Sequence, residues 1–148
     1  MQGAELVGAG VVLVATIAVG LIAHELTHAL VLQTLRVPHK VRWFPGEQES
    51  TLTCGLTGTW ASVTPERFPN HMPTWGLRLS ATAPLALAVP LFLFVSGVGG
   101  VPQVGTPYFT ATVVGWLACS IPSPQDFSVF WHAERVIETH RGSASPRQ

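Results

Sequence analysis

The chain is poor in charge. Of its 148 residues only 11% are Asp, Glu, Lys or Arg, while 47% are hydrophobic, and globular domains usually carry about a quarter charged residues. So few charges cannot clothe a compact surface in water-seeking groups, which moves the chain toward the membrane class. Eight Lys and Arg balance eight Asp and Glu, and no cationic run interleaved with aromatics is present, so no nucleic-acid partner is expected. Cysteine is scarce as well. Cys54 and Cys119 stand at no metal-knuckle spacing, which excludes a cysteine-built zinc knuckle and leaves a pair of free thiols as the expectation. No Lys or Arg precedes the first apolar run and no small-residue cleavage motif follows it, so a retained anchor is expected there, not a cleaved leader.

What the chain has instead is apolar length. Residues 6–23 contain no charge and a single polar side chain, Thr16, which meets the threshold of about 18 residues for a membrane-spanning helix. The helical pattern runs on to about Leu35, where Val37-Pro38 stops it. Between Arg78 and Asp126 lie 47 consecutive residues with no Asp, Glu, Lys, Arg or His. A Gly- and Pro-rich stretch at 97–107 divides them, predicting one span over about 77–96 and another from 107 onward. Pro84 and Pro90 should kink the former, which membranes tolerate where neighbouring groups re-satisfy the freed carbonyls.

The expected fold is an all-α membrane protein of three transmembrane helices. Between helices one and two, residues 41–63 are rich in β-branched and aromatic types around Pro45-Gly46, predicting a small β-hairpin-like segment or a packed interfacial loop. A short amphipathic helix is expected over 128–140. The whole reads as one domain over 1–141 with a disordered tail at 142–148. Arg36, Lys40, Arg42, Arg67 and Arg78 fall between or at the start of the spans, and Arg135, Arg141 and Arg147 fall in the tail. With the N-terminus outside and the C-terminus cytoplasmic, three spans put all eight on the cytoplasmic side of a cell membrane.

Chemistry enters at His24-Glu25-Leu26-Thr27-His28, an HExxH sequence late in the first apolar helix. Residues i and i+4 share a helix face about 6 Å apart along the axis. Two imidazoles there can hold one zinc ion, with Glu25 close enough to accept a proton from a zinc-activated water. Ionisable groups in an apolar helix are costly, and three within one turn point to function. A zinc site wants a third protein ligand, and Asp126, the only aspartate in the chain, is the candidate. Its alternative role is to cap a tail helix after Pro122 and Pro124. Leu6 to His24 and Tyr108 to Asp126 are each 18 residues, about 27 Å if helical, so both arrive at a similar depth. His132, six residues past Asp126, should face away from the metal. His39, His71, Glu134 and Glu138 read as surface groups, Phe127, Phe130 and Trp131 as packing or interfacial anchors, and Ser120 as a backbone-bonded helix serine.

With HExxH late in an apolar helix and a proline-rich approach to an aspartate after a third apolar stretch, the chain resembles the site-2 protease family of intramembrane zinc metalloproteases and its small membrane zincin relatives. The likeness covers roughly residues 6–136. It implies zinc ligands at His24, His28 and Asp126, a catalytic glutamate at Glu25, and cleavage of membrane-spanning or membrane-associated protein substrates whose helix has unwound. Residues 51–63 could offer an edge strand to such a substrate. Phe127 follows the aspartate where that family often has glycine, and the asparagine that family often has upstream is missing from that region. Two other classes compete: a non-catalytic membrane zinc protein that regulates or binds partners, and a metal or proton transporter. Residues 79–125 supply no charge for the polar path a transporter needs.

Overall fold

A computed structural model of the chain describes residues 3–43, 61–65, 68–69, 72–96 and 106–143. The architecture is broadly all-α with one small sheet. Helix α1 spans Gly3–Thr34, and strands β1 (His39–Trp43) and β2 (Ala61–Pro65) follow. Next come α2 (Thr74–Thr82), a 3₁₀ segment (Ala83–Leu87) and α3 (Ala88–Val95), then α4 (Pro107–Ser120), α5 (Pro124–Trp131) and α6 (Ala133–Ser143). The chain divides into two compact units, each made of two segments: Met1–His24 with Pro84–Ile121, and Glu25–Ala83 with Pro122–Gln148.

Helix α1 is apolar on more than one face. Val7, Val11, Val14, Ile22, Leu26 and Leu30 are exposed, while Ala9, Gly20, His24, His28 and Leu32 are buried. A water-borne helix would put polar residues on the outward stripe. This helix keeps apolar residues there, and only 11% of its most apolar stretch is buried. Its C-terminus closes in a Schellman motif. Val37 N–H donates to Leu32 O, Arg36 N–H donates to Gln33 O, and Arg36 takes φ 55°. The left-handed position suits glycine best; here the contact between Leu32 and Val37, both in one buried cluster, accompanies the turn, and Pro38 forbids further helix.

In the first unit α1 meets α4 through small residues. A Cβ at Gly8 would lie 2.8 Å from the Tyr108 ring, and one at Gly20 would lie 2.7 Å from Cys119 Sγ. Such close approach is how helices associate where the surroundings are as apolar as their side chains. Trp116 Nε1–H donates to Leu87 O at 2.7 Å; Pro90, three residues past Leu87, has no N–H to continue the 3₁₀ pattern. In the second unit Leu32, Val37, Phe68, Met72, Leu77, Ala133 and Ile137 form a buried cluster, with Val63 of β2 packed against it. β1 pairs antiparallel with β2, from His39 opposite Pro65 to Trp43 opposite Ala61.

Several expectations need correction. Among the described residues two helices, Gly3–Thr34 and Thr74–Leu93, are long and apolar enough to cross a membrane, not three. The third expected span is α4, whose 14 residues reach about 21 Å, short of the ~30 Å hydrocarbon core. Its ends are set by Thr106, which accepts from Phe109 N–H ahead of Pro107, and by Ile121, extended at φ −80°, ψ 129° as residues before proline are. Pro84 does not merely kink the second span: residues 83–87 tighten to 3₁₀. The expected tail helix over 128–140 is two helices, α5 and α6, interrupted at His132 (φ −109°, ψ 21°). Gly142 and Ser143 belong to α6. The rest of the expected disordered tail, and the hairpin residues 44–60, lie outside the described residues.

Gly20→Ala should destabilise the protein by about 1–3 kcal/mol, the cost of overpacking, although glycine-to-alanine in a helix interior ordinarily stabilises by about 1 kcal/mol. Gly10, whose added Cβ would meet nothing within 4 Å, is the control. Thermal unfolding in detergent should show the two variants shifting in opposite directions; a stabilised Gly20→Ala protein would refute the close α1–α4 contact.

Candidate metal centre

Helix periodicity places His24 and His28 one turn apart on the buried stripe of α1, with 7% and 8% of their surface exposed. A buried imidazole must place its N–H. His24 Nδ1 lies 2.7 Å from the Cys119 carbonyl oxygen, within the first unit. His28 Nδ1 lies 2.8 Å from the Ser80 carbonyl oxygen, within the second. A carbonyl only accepts, so each Nδ1 carries the hydrogen and donates it. In a neutral ring Nε2 is then the nitrogen with the lone pair. Metal-ligating histidines are oriented by this kind of bond.

The two carbonyls are available for a reason written in the sequence. Within a helix Ser80 O would accept from the amide of residue 84, but residue 84 is proline and has none. Cys119 lies in the last turn of α4, where carbonyls have no helical donor. Residue 123, the next that could serve, gives its N–H to Asp126 Oδ2 at 2.7 Å.

That bond belongs to a capping box. Ser123 Oγ accepts from Asp126 N–H at 3.2 Å while the Asp126 carboxylate accepts from Ser123 N–H, with Pro124 in the first turn. Asp126 therefore caps α5, and with its other oxygen it does something else: Oδ1 lies 3.3 Å from His28 Nε2. Cap and ligand candidate, posed as alternatives from sequence, are one residue using two oxygens. Nor does Asp126 sit on an extension of the third apolar helix, as the depth count supposed; it stands at the start of a separate one.

With His28 neutral, the Nε2 lone pair and a carboxylate oxygen face each other at 3.3 Å and repel. A positive centre belongs between them, either a proton on the ring or a metal cation. Zinc bonds of about 2.0–2.2 Å at tetrahedral angles put neighbouring ligand atoms about 3.3–3.5 Å apart, which suits the observed separation. His24, His28 and Asp126 each offer one ligand atom, all within 4.8 Å of one another. Helix α1 is unbroken from Gly3 to Thr34, so the helix itself sets His24 one turn from His28. Two imidazoles and a carboxylate form a donor set that zinc accepts. The residues could hold a metal ion.

Glu25 is half-buried on α1 between the two histidines. Ser120 is buried and donates to Trp116 O at 2.9 Å, the backbone-bonded role expected. His132 is exposed at the end of α5. His39 is half-buried with Nδ1 3.0 Å from Val37 O, so it is less solvated than expected. Glu134 is exposed, 3.7 Å from Arg78, whose guanidinium lies 5.9 Å above the Phe130 ring. Phe127 and Trp131 are exposed. His71 and Cys54 lie outside the described residues. Sequence reasoning missed the ring-orienting carbonyls of Ser80 and Cys119. The signal for the first was Pro84, four residues on.

No protein-family model, curated protein or solved structure matches this chain.

Asp126→Asn keeps an acceptor for the Ser123 amide but gives up the charge, whereas Asp126→Ala gives up both. Metal analysis should find zinc lost from both variants. Only Asp126→Ala should also lose about 1 kcal/mol of metal-free stability, the ordinary value of a helix cap. Full zinc occupancy in Asp126→Asn would remove Asp126 from the ligand set.

Proposed function

We propose that the chain is a membrane-embedded zinc-dependent peptidase of the kind its sequence resembles, the site-2 protease family. The observation that carries this reading is the facing pair of His28 Nε2 and Asp126 Oδ1 at 3.3 Å, beside a second histidine held by the same type of Nδ1–H bond. His24, His28 and Asp126 would hold the ion. When bound, zinc supplies Lewis acidity that lowers the pKa of a coordinated water toward about 7.

The chain's own residues do the rest. The Ser80 and Cys119 carbonyls keep both imidazoles in one tautomer, so neither ring must reorganise when a ligand arrives. Glu25 accepts a proton from the attacking water as oxygen adds to the peptide carbonyl carbon. It then passes that proton to the departing amide nitrogen as the C–N bond breaks. The buried setting of the histidines strengthens these charge interactions by excluding water.

The substrate class follows from the surroundings. Apolar residues cover the outward stripe of α1, so polypeptide reaching Glu25 along that helix would come from a membrane-spanning or membrane-associated protein. Arg36, Lys40, Arg78 and Arg135 all belong to the second unit, where α2, α5 and α6 pack together. That gathers these four cations in one unit, the segregation expected of one face of a membrane.

Glu25→Gln removes the proton acceptor and leaves every proposed ligand in place. The purified variant should retain one zinc per chain and lose at least about 100-fold in cleavage of a membrane-embedded peptide, the usual worth of general acid–base catalysis. Undiminished cleavage by Glu25→Gln would refute the mechanism. Zinc-loaded wild-type protein that cleaves no such peptide would favour the non-catalytic reading.

A further inference from the structure

We propose that Pro84 is a positioning residue for metal binding: because it has no N–H, it reserves the Ser80 carbonyl for the His28 ring. The proposal rests on the metal reading above and adds a residue that is neither ligand nor base.

The carbonyl oxygen of Ser80 has two lone pairs. One accepts the N–H of Ala83, which closes the end of α2. The other accepts His28 Nδ1–H at 2.8 Å. An N–H at position 84 could reach this oxygen in the ordinary i→i−4 bond, beside the Ala83 N–H that takes one lone pair, and so compete with the ring for the other. The intruding bond would be local and backbone-borne, so the imidazole, which comes from 52 residues away in sequence, would be the partner displaced.

Displacement would alter the site in a definite way. A His28 ring without its Nδ1–H acceptor can move its hydrogen to Nε2. That hydrogen would face Asp126 Oδ1, 3.3 Å from Nε2, and bond to it. The pair would then satisfy itself without a cation. Pro84 thus works by forbidding a competing hydrogen bond, and through it a metal-free arrangement of the same ligands. Its side chain is also fully buried, so substitution changes packing as well as hydrogen bonding, and a test must separate the two.

Two variants of the full chain do so. Pro84→Ala removes the ring and adds an N–H. Lactic acid at position 84, the α-hydroxy analogue of alanine introduced by suppression, removes the ring and adds none. Both are titrated with zinc alone in detergent, and the ¹⁵N shifts of His28 report its tautomer in the metal-free state. Pro84→Ala should bind zinc about 10–100-fold more weakly than wild type, the usual cost of losing a ligand's orienting partner, with the His28 hydrogen redistributed to Nε2. The lactic-acid chain should stay within tenfold of wild type and keep the Nδ1–H tautomer. Pro84→Ala binding within tenfold of wild type would overturn the assignment, as would a lactic-acid chain weakened tenfold or more. Should Pro84→Ala fail to fold, the lactic-acid chain decides by the same threshold. Wild-type protein that takes up no zinc would overturn the metal reading itself, a result distinct from either.

Discussion

A buried backbone carbonyl short of a donor is expensive, and this chain leaves two carbonyls without their i+4 donors where its histidines can answer them. Proline at 84 strips Ser80 of its helical donor. The end of α4 ahead of Pro122 does the same for Cys119. In each case an imidazole Nδ1–H fills the vacancy. The bond that saves the carbonyl also sets the ring, and so decides which nitrogen can meet a cation. Asp126 obeys the same economy from the opposite side, since its carboxylate satisfies an orphan N–H at the start of α5. Three side chains are aimed by three breaks in helical hydrogen bonding.

On the membrane reading proposed above, the setting gives these bonds their weight. In water a freed carbonyl finds a solvent partner at little cost; in hydrocarbon it has only the protein. The outward stripe of α1 is apolar along most of its length, and its contacts with α4 run through glycines, as expected where no hydrophobic force drives helices together. Prolines that would be defects in a soluble helix become devices for presenting acceptors. The price is borne by α4, which ends too early to span.

The grouping of His24, His28 and Asp126 was legible because each part has a strong local signature: HExxH is a spacing rule, and Asp126 is the lone aspartate. The two apolar helices were legible for the same reason, since length without charge leaves few alternatives. Other features depend on competition between local signals. The charge-free stretch at 79–125 suggested continuous spans, but the prolines at 107 and 122 cut α4 to 14 residues. Ser123 and Pro124 start a helix that composition alone placed four residues later, because a cap is a three-dimensional exchange of bonds and only a pattern in sequence. The dual use of the Asp126 oxygens could not be read at all, since it depends on where α1 brings His28.

The account stands on two imidazoles and one carboxylate meeting the same ion through Nε2 and Oδ1. X-ray absorption at the zinc edge of the intact protein tests this most directly. It should show a first shell of nitrogen and oxygen at about 2.0–2.2 Å with outer scattering from two imidazole rings. Sulfur at about 2.3 Å, or scattering from a single ring, would contradict it.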